Sequence, residues 1–198
     1  MLLVEQTTVP GAVLPVAQLK DHMLLGTGFA DDGAQDLLVE NYLRAAIAAI
    51  EARTGKVLVA KSYSWTLTAW RETCRQPLPL APVTSLDAVR LVDRLDQSSV
   101  VDPTSYRLVV DDHRPAIVGA SGALPSIAMG GRVEIDLTAG YGPAWDDVPV
   151  DLAQATFLLA THFYENRNSA GQDVGIPMGV MALIERYRTL RILGGSAR

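Results

Sequence analysis

The residues able to do chemistry are few and scattered. His22, His113 and His162 are the three imidazoles of the chain, and no two stand at a spacing that would present them to one metal ion. Asp111-Asp112-His113 groups two carboxylates with a histidine, a set that could attract a cation or serve a small-molecule enzyme as acid and base. It sits between two strand candidates with a proline close by, where a solvated turn is the better reading. Gly26-Thr27-Gly28 opens like a phosphate-cradling loop, yet no strand precedes it and no Gly-Lys-Ser/Thr follows, so the P-loop and dinucleotide-binding readings fail on context. No Gly-x-Ser-x-Gly elbow occurs. Cys74 has Arg75 beside it but no identifiable base, so an incidental thiol is expected. Asp31-Asp32 and Asp146-Asp147 precede predicted helices, where carboxylates cap unpaired N–H groups. Nucleophile, base and stabiliser never assemble, and the expectation is a protein without catalytic residues, metal or cofactor.

Composition narrows the class further. At 198 residues the chain can bury a real core in one domain, and 48% hydrophobic with 20% charged residues is globular usage. Charged or polar residues interrupt every apolar run before it reaches membrane-spanning length. The opening Met1-Leu2-Leu3-Val4-Glu5 has no basic leader and an early acid, which speaks against a signal peptide. A single cysteine excludes an internal disulfide and suits a reducing compartment. The formal charge of −5 argues against general nucleic-acid binding. Charge is uneven: after Glu185 come Arg186, Arg188, Arg191 and Arg198 with no acid among them.

The elements follow from periodicity. Residues 1–14 read as an extended arm. Pro15 to Leu25 reads as a short helix with Leu19, Met23 and His22 inward. From Ala34 to Arg53, Val39, Leu43, Ile47 and Ile50 line one face with Tyr42 and Ala46, and Thr54-Gly55 is the stop. The period then changes to alternation: in Ser62 to Trp70 large residues at 63, 65 and 67 interleave with hydroxyls. Gln76 to Val83 holds three prolines in six residues, read as a rigid connector. Leu86–Val92, Tyr106–Val110, Ala116–Val118 and Arg132–Thr138 are further strands, with a polar turn region from 93 to 103. Pro149 then opens the most apolar helix, through Leu152, Ala155, Leu159 and Phe163 to Arg167, with Asp151 at the positive end of its dipole. His162 on it reads as a packed or interface residue. A last helix, Val180 to Leu193, precedes a flexible tail at 194–198. Strands bracketed by helices imply an α+β fold: a helical body (about 15–55 and 149–193) with a small antiparallel β-sheet inserted at about 57–140, one domain over 1–198.

The order of these features resembles the head–tail connector (adaptor) proteins of tailed bacteriophages, in the longer form with a β insertion found in prophages and gene transfer agents. The residues that carry the resemblance span about 15–190. They are Ala45 to Gly55 followed by Tyr63-Ser64-Trp65-Thr66-Leu67, and Trp70 leading into Pro77 to Val83 and the strand 86–93. Further along they are Tyr106-Arg107-Leu108, Val133-Glu134-Ile135, Thr138 to Gly142, and Val148-Pro149 opening a helix that ends Phe163-Tyr164-Glu165-Asn166-Arg167. The N-terminal arm and residues 168–179 match nothing in it. The resemblance implies a virion protein at the head–tail interface: a homo-oligomeric ring of about twelve copies below the portal protein. Such a ring extends the DNA channel and carries the next tail-joining or stopper protein. DNA would pass through the lumen without specific binding, which an acidic lining favours, and no membrane is involved. The family's C-terminal segments dock on the portal, which points here to Arg186, Tyr187, Arg188, Leu190, Arg191, Ile192, Leu193 and Arg198, with Met181, Leu183 and Ile184 upstream. An arginine-rich helix end stabilised by the dipole is the plain alternative for the same residues. A tail-completion or stopper protein is the alternative for the chain.

Overall fold

The computed structural model describes residues 1–23, 35–167 and 175–188. In it the change of period after residue 55 becomes a seam between two hydrophobic cores. On one side lie the helices. α1 (Val16–His22) buries Leu19, while His22 stays exposed with its ring 5.8 Å from Phe157. α2 (Asp36–Thr54) buries the expected stripe of Val39, Leu43, Ala46, Ile47 and Ile50, and Arg44 pairs with Glu40 at 2.7 Å away from it. Gly55 ends α2 at φ 70°, a left-handed conformation that only glycine adopts without strain, and its N–H returns to Glu51 O at 2.8 Å. α3 (Val150–Glu165) crosses α2 with Leu152, Ala155, Leu159 and Ala160 fully buried. Tyr42 meets Tyr164 edge-on, and Phe157 stacks on Trp145. α4 (Met178–Ile184) closes this core with Val180 and Ile184.

On the other side lie the strands β1 (Leu2–Glu5), β2 (Lys61–Leu67), β3 (Arg75–Pro77), β4 (Val83–Val92), β5 (Ser98–Val100), β6 (Tyr106–Val109), β7 (Ala116–Gly119) and β8 (Arg132–Ala139). Among the described residues they form two antiparallel sheets, in the orders β1-β2-β8-β4-β5 and β3-β7-β6. Tyr63, Trp65 and Leu67 of β2 and Val133, Ile135 and Leu137 of β8 bury the second core, and the alternate residues stay half-exposed, as the period of two requires. The mixed α+β class with an antiparallel insertion therefore stands.

Several details differ from expectation. The strands divide between two sheets instead of one, and the N-terminal arm contributes β1 at an edge of the larger. The proline-rich connector begins with strand β3, which tolerates Pro77 because among the described residues it pairs with β7 alone, at the edge of its sheet. The polar stretch 93–103 contains β5. Asp147 does not cap α3. Its Oδ2 accepts the Ala144 N–H at 2.9 Å inside a 3-10 turn, and α3 starts from Pro149 with no side-chain cap. The last helix is shorter than read: α4 stops at Ile184, a 3-10 turn runs from Glu185 to Tyr187, and Arg188 is extended. Asp31-Asp32 and Gly26-Thr27-Gly28 lie outside the described residues.

Candidate interaction surface where the C-terminal segment leaves the fold

Asp151 organises this surface. It occupies the first turn of α3, where the positive end of the helix dipole favours its charge. Its Oδ1 accepts the Leu152 N–H at 3.1 Å and the Tyr187 hydroxyl at 2.6 Å, and its Oδ2 pairs with Arg186 Nε at 3.0 Å. Arg186 also lays its guanidinium over the Tyr187 ring, 4.7 Å from the centroid, and donates through Nη2 to the phenol oxygen. Burial, together with the Asp151 carboxylate, pushes the Tyr187 phenol above its ordinary range. One carboxylate at a helix start thus clamps two consecutive residues of the C-terminal segment. Changing Tyr187 to Phe removes the hydroxyl link to a charged acceptor and should lower stability by about 1.5–3 kcal/mol in chemical denaturation. A loss under 0.5 kcal/mol would show the clamp to be idle.

The β insertion reaches the same place. The Asp111–His113 turn is built as a solvated turn: Asp111 Oδ1 accepts the N–H groups of His113 and Arg114, both at 2.7 Å, and these bonds hold its carboxyl below the ordinary value. Lys56 is buried at 1% exposure and comes up beneath the turn. It donates to the Asp112 carbonyl and lies 3.1 Å from His113 Nδ1. Burial lowers the Lys56 ammonium against the pull of Asp112 and Asp111. Tyr141, on the turn after β8, has its phenol pushed up to about 12, first by burial and then by Tyr187, Asp112 and Asp151. Asp112, His113, Tyr141, Pro149, Arg186 and Tyr187 together line a cleft of about 330 Å³. It offers charge and hydrogen bonds but no activated nucleophile, and among the described residues no three His, Cys, Asp or Glu side chains could share a metal ion.

Of the residues read as portal contacts, the structure describes three. The Arg186 side chain is 71% exposed, Arg188 is half-buried and pairs with Glu185 at 2.9 Å, and Tyr187 is 7% exposed and belongs to the helical core. Leu190, Arg191, Ile192, Leu193 and Arg198 lie outside the described residues. Of the upstream apolar set, Ile184 is buried, while Met181 and Leu183 are half-buried. Sequence reasoning missed Lys56 as a junction residue. A lone lysine ahead of Val57-Leu58-Val59, straight after a helix-ending glycine, is the signal that was there to be read.

No protein-family model matches the chain, and no curated protein matches it. Solved structures do. The chain is 54% identical, at a TM-score of 0.90, to a protein in the neck of an empty gene transfer agent particle computed with sixfold symmetry, covering 98% of this chain and 99% of that one. It is 54% identical at 0.88 to a chain in the virion of a native gene transfer agent particle, and 49% identical at 0.86 to one in the native neck computed with twelvefold symmetry. Coverage is 98% and 99% in both of these cases as well. Identity near one half, held from end to end with the same fold, means that the chain belongs to the head–tail connector family of the gene transfer agent neck, a protein of the virion.

Proposed function

We propose that the chain is the adaptor of the neck, a single 198-residue unit that joins the capsid to the tail. About twelve copies close into a ring through heterologous contacts. The ring sits below the portal protein, extends the DNA channel and presents the β insertion to the next tail-joining protein. The observation that carries this reading is the end-to-end match, at a TM-score of 0.90, to a chain of the gene transfer agent neck. The sixfold and twelvefold symmetry of the related necks supports the ring and its copy number. A net charge of −5 suits a wall past which DNA slides without sticking. The role is mechanical, and the cleft around Asp151 anchors the C-terminal segment through Arg186 and Tyr187. Exposed Arg186 and half-buried Arg188 begin the portal contact, and Leu190, Arg191, Ile192, Leu193 and Arg198 continue it.

The test is light scattering coupled to size exclusion on mixtures with the portal protein. The wild-type chain should co-migrate with the portal. A chain truncated after Arg188 should lose the portal and keep its melting temperature, because the Asp151–Tyr187 clamp is intact. Undiminished portal binding by the truncated chain would remove the C-terminal contact. A wild-type chain that ignores the portal and captures the tail-side protein would make it a stopper or tail-completion protein.

A further inference from the structure

Among the described residues the larger sheet ends in two unpaired edges, β1 and β5, each with exposed apolar side chains. One row crosses it completely: Leu2 lies opposite Thr66, Thr66 opposite Glu134, Glu134 opposite Arg90, and Arg90 opposite Val100. The middle of the row is polar, as the solvated face of an antiparallel sheet should be. Its two ends are apolar, with Leu2 61% and Val100 72% exposed. Val4, 41% exposed, enlarges the patch at the β1 edge. Edge strands are protected by shortness or charge, as β1 with Glu5 and three-residue β5 partly are, and more strongly by a lysine, a proline or a bulge. Neither β1 nor β5 carries any of these last three.

The backbone groups at the two edges complement each other. Gln6 N–H donates to Ser62 O at 2.8 Å, so by alternation the even residues of β1 bond to β2, and Leu3 and Glu5 turn their N–H and C=O groups to the open side. Val101 N–H donates to Val89 O at 2.8 Å, so Ser99 faces β4 while Ser98 and Val100 face the open side. All pairings in this sheet are antiparallel and the strands number five, so β1 and β5 run in the same direction. Copies related by a modest rotation therefore bring β1 of one alongside β5 of the next as parallel strands. A parallel pair sets a residue that bonds across the gap opposite one that does not. Val100 bonds outward and has its side chain on the polar face; Leu2 and Val4 share that face and bond inward. The faces continue across the joint. An antiparallel contact between β1 and β5 would set Val100 opposite Leu3 or Glu5 and exchange the faces.

The core side also has room. A groove of about 470 Å³ beside β5 is lined by Ser99, Val101, Leu124 and Pro125 among others. Met1, 85% exposed and two residues before Leu3, is placed to enter it from a neighbouring β1. Because β5 has only three residues, the joint does not require the twists of neighbouring sheets to match over any length.

We propose that β1 of each copy pairs in parallel with β5 of its neighbour, joining the five-stranded sheets edge to edge around the ring. The inference rests on the ring reading above. Cysteines at Val4→Cys and Val100→Cys, or at Leu2→Cys and Val100→Cys, on a Cys74→Ser background cover the two registers that keep the faces continuous. In gene transfer agent particles built with such a chain as their only copy, oxidation should give a reducible ladder on denaturing gels that extends beyond the dimer. Single-cysteine chains should give none. Dimers from Val4→Cys or Leu2→Cys alone would mean twofold β1–β1 pairing and overturn the proposal. Particles that contain the chain but give no ladder from either pair would overturn the pairing and leave the ring untouched. Absence of the wild-type chain from purified particles would overturn the ring itself, and the pairing with it.

Discussion

Replacing Lys61 with methionine should cost about 3–5 kcal/mol at neutral pH, enough to leave a domain of ordinary stability close to unfolding. Lys61 opens β2, and its Nζ lies 3.0 Å from Glu51 Oε2 on α2 and 3.1 Å from Glu5 Oε2 on β1. The side chains of Lys61 and Glu51 are 8% and 16% exposed, so the pair is a buried ion pair on the seam between the two cores. Burial lowers the Lys61 ammonium, but Glu51, Tyr63 and Glu5 outweigh it and hold the group above its ordinary value. Burial pushes the Glu51 carboxyl up, and Lys61 and the Leu58 N–H, which donates at 2.8 Å, pull it back. Without Lys61 the carboxylate keeps its desolvation and the repulsion of Glu5 and loses its main counter-charge.

The sign of the pH dependence follows. In the variant the folded-state value of Glu51 lies still further above the unfolded value near 4.5. A raised carboxyl favours the folded state only while protonated, so the stabilising contribution is complete below 4.5 and is lost as pH rises through the folded value. The deficit against wild type should therefore be largest at neutral pH and shrink toward about pH 5. Urea denaturation at the two pH values measures it. The double variant Lys61→Met with Glu51→Gln should recover most of the loss, because glutamine keeps an acceptor for Leu58 without a charge. A deficit independent of pH would sink the electrostatic account and leave only lost packing.

Gly140→Ala should be about as damaging. Gly140 stands at φ +137°, a conformation that L side chains rarely adopt, and an added Cβ would lie 2.4 Å from Ala60 Cα and 2.5 Å from Ala60 N. That neighbour is backbone, held by the Ala60 N–H bond to Gly142 O at 2.8 Å and by the Val59–Gly142 bridge. Gly140 N–H itself donates to Pro82 O at 3.0 Å, and Tyr141 N–H donates to Leu58 O at 3.2 Å. The chain therefore cannot back away without opening the seam. A loss of about 3 kcal/mol or more is expected, equal to roughly 6–12 °C in melting temperature. Gly179→Ala is the control. It lies in α4 with nothing among the described residues within 4 Å of the added methyl, and should be neutral or slightly stabilising. If Gly140→Ala melts with wild type, the 139–142 crossing is not rigid.

Both predictions fall where the helical core meets the sheets, and the cleft around Asp151 lies on the same line. Lys56 ties the insertion to the end of α2, Lys61 ties β2 to α2 and β1, and Asp151 ties α3 to the C-terminal segment.

How much of this was legible beforehand depends on the range of each signal. The α2 stripe, the stop at Gly55, the alternation of β2 and β8 and the proline start of α3 rest on residues within one or two turns or strand steps of each other, so local periodicity was enough to name them. The N-terminal strand escaped notice because four residues with apolar side chains on both faces carry no period. The division into two sheets escaped because alternation tells which face a strand buries, not which strand lies beside it.

The contact surface marks the same boundary. Arg186, Tyr187 and Arg188 drew attention through type and position alone. That Tyr187 turns inward, and that Arg186 pairs with a carboxylate thirty-five residues earlier in the chain, depended on α4 folding back onto α3. From its own residues the chain determined its longer helices and strands and their order, together with the connector resemblance that order carries. Tertiary structure alone decided which charges are buried, which edges stay open and where the C-terminal segment is held. Burial of an ion or exposure of an edge is a relation between distant segments, and no local pattern of side chains encodes it.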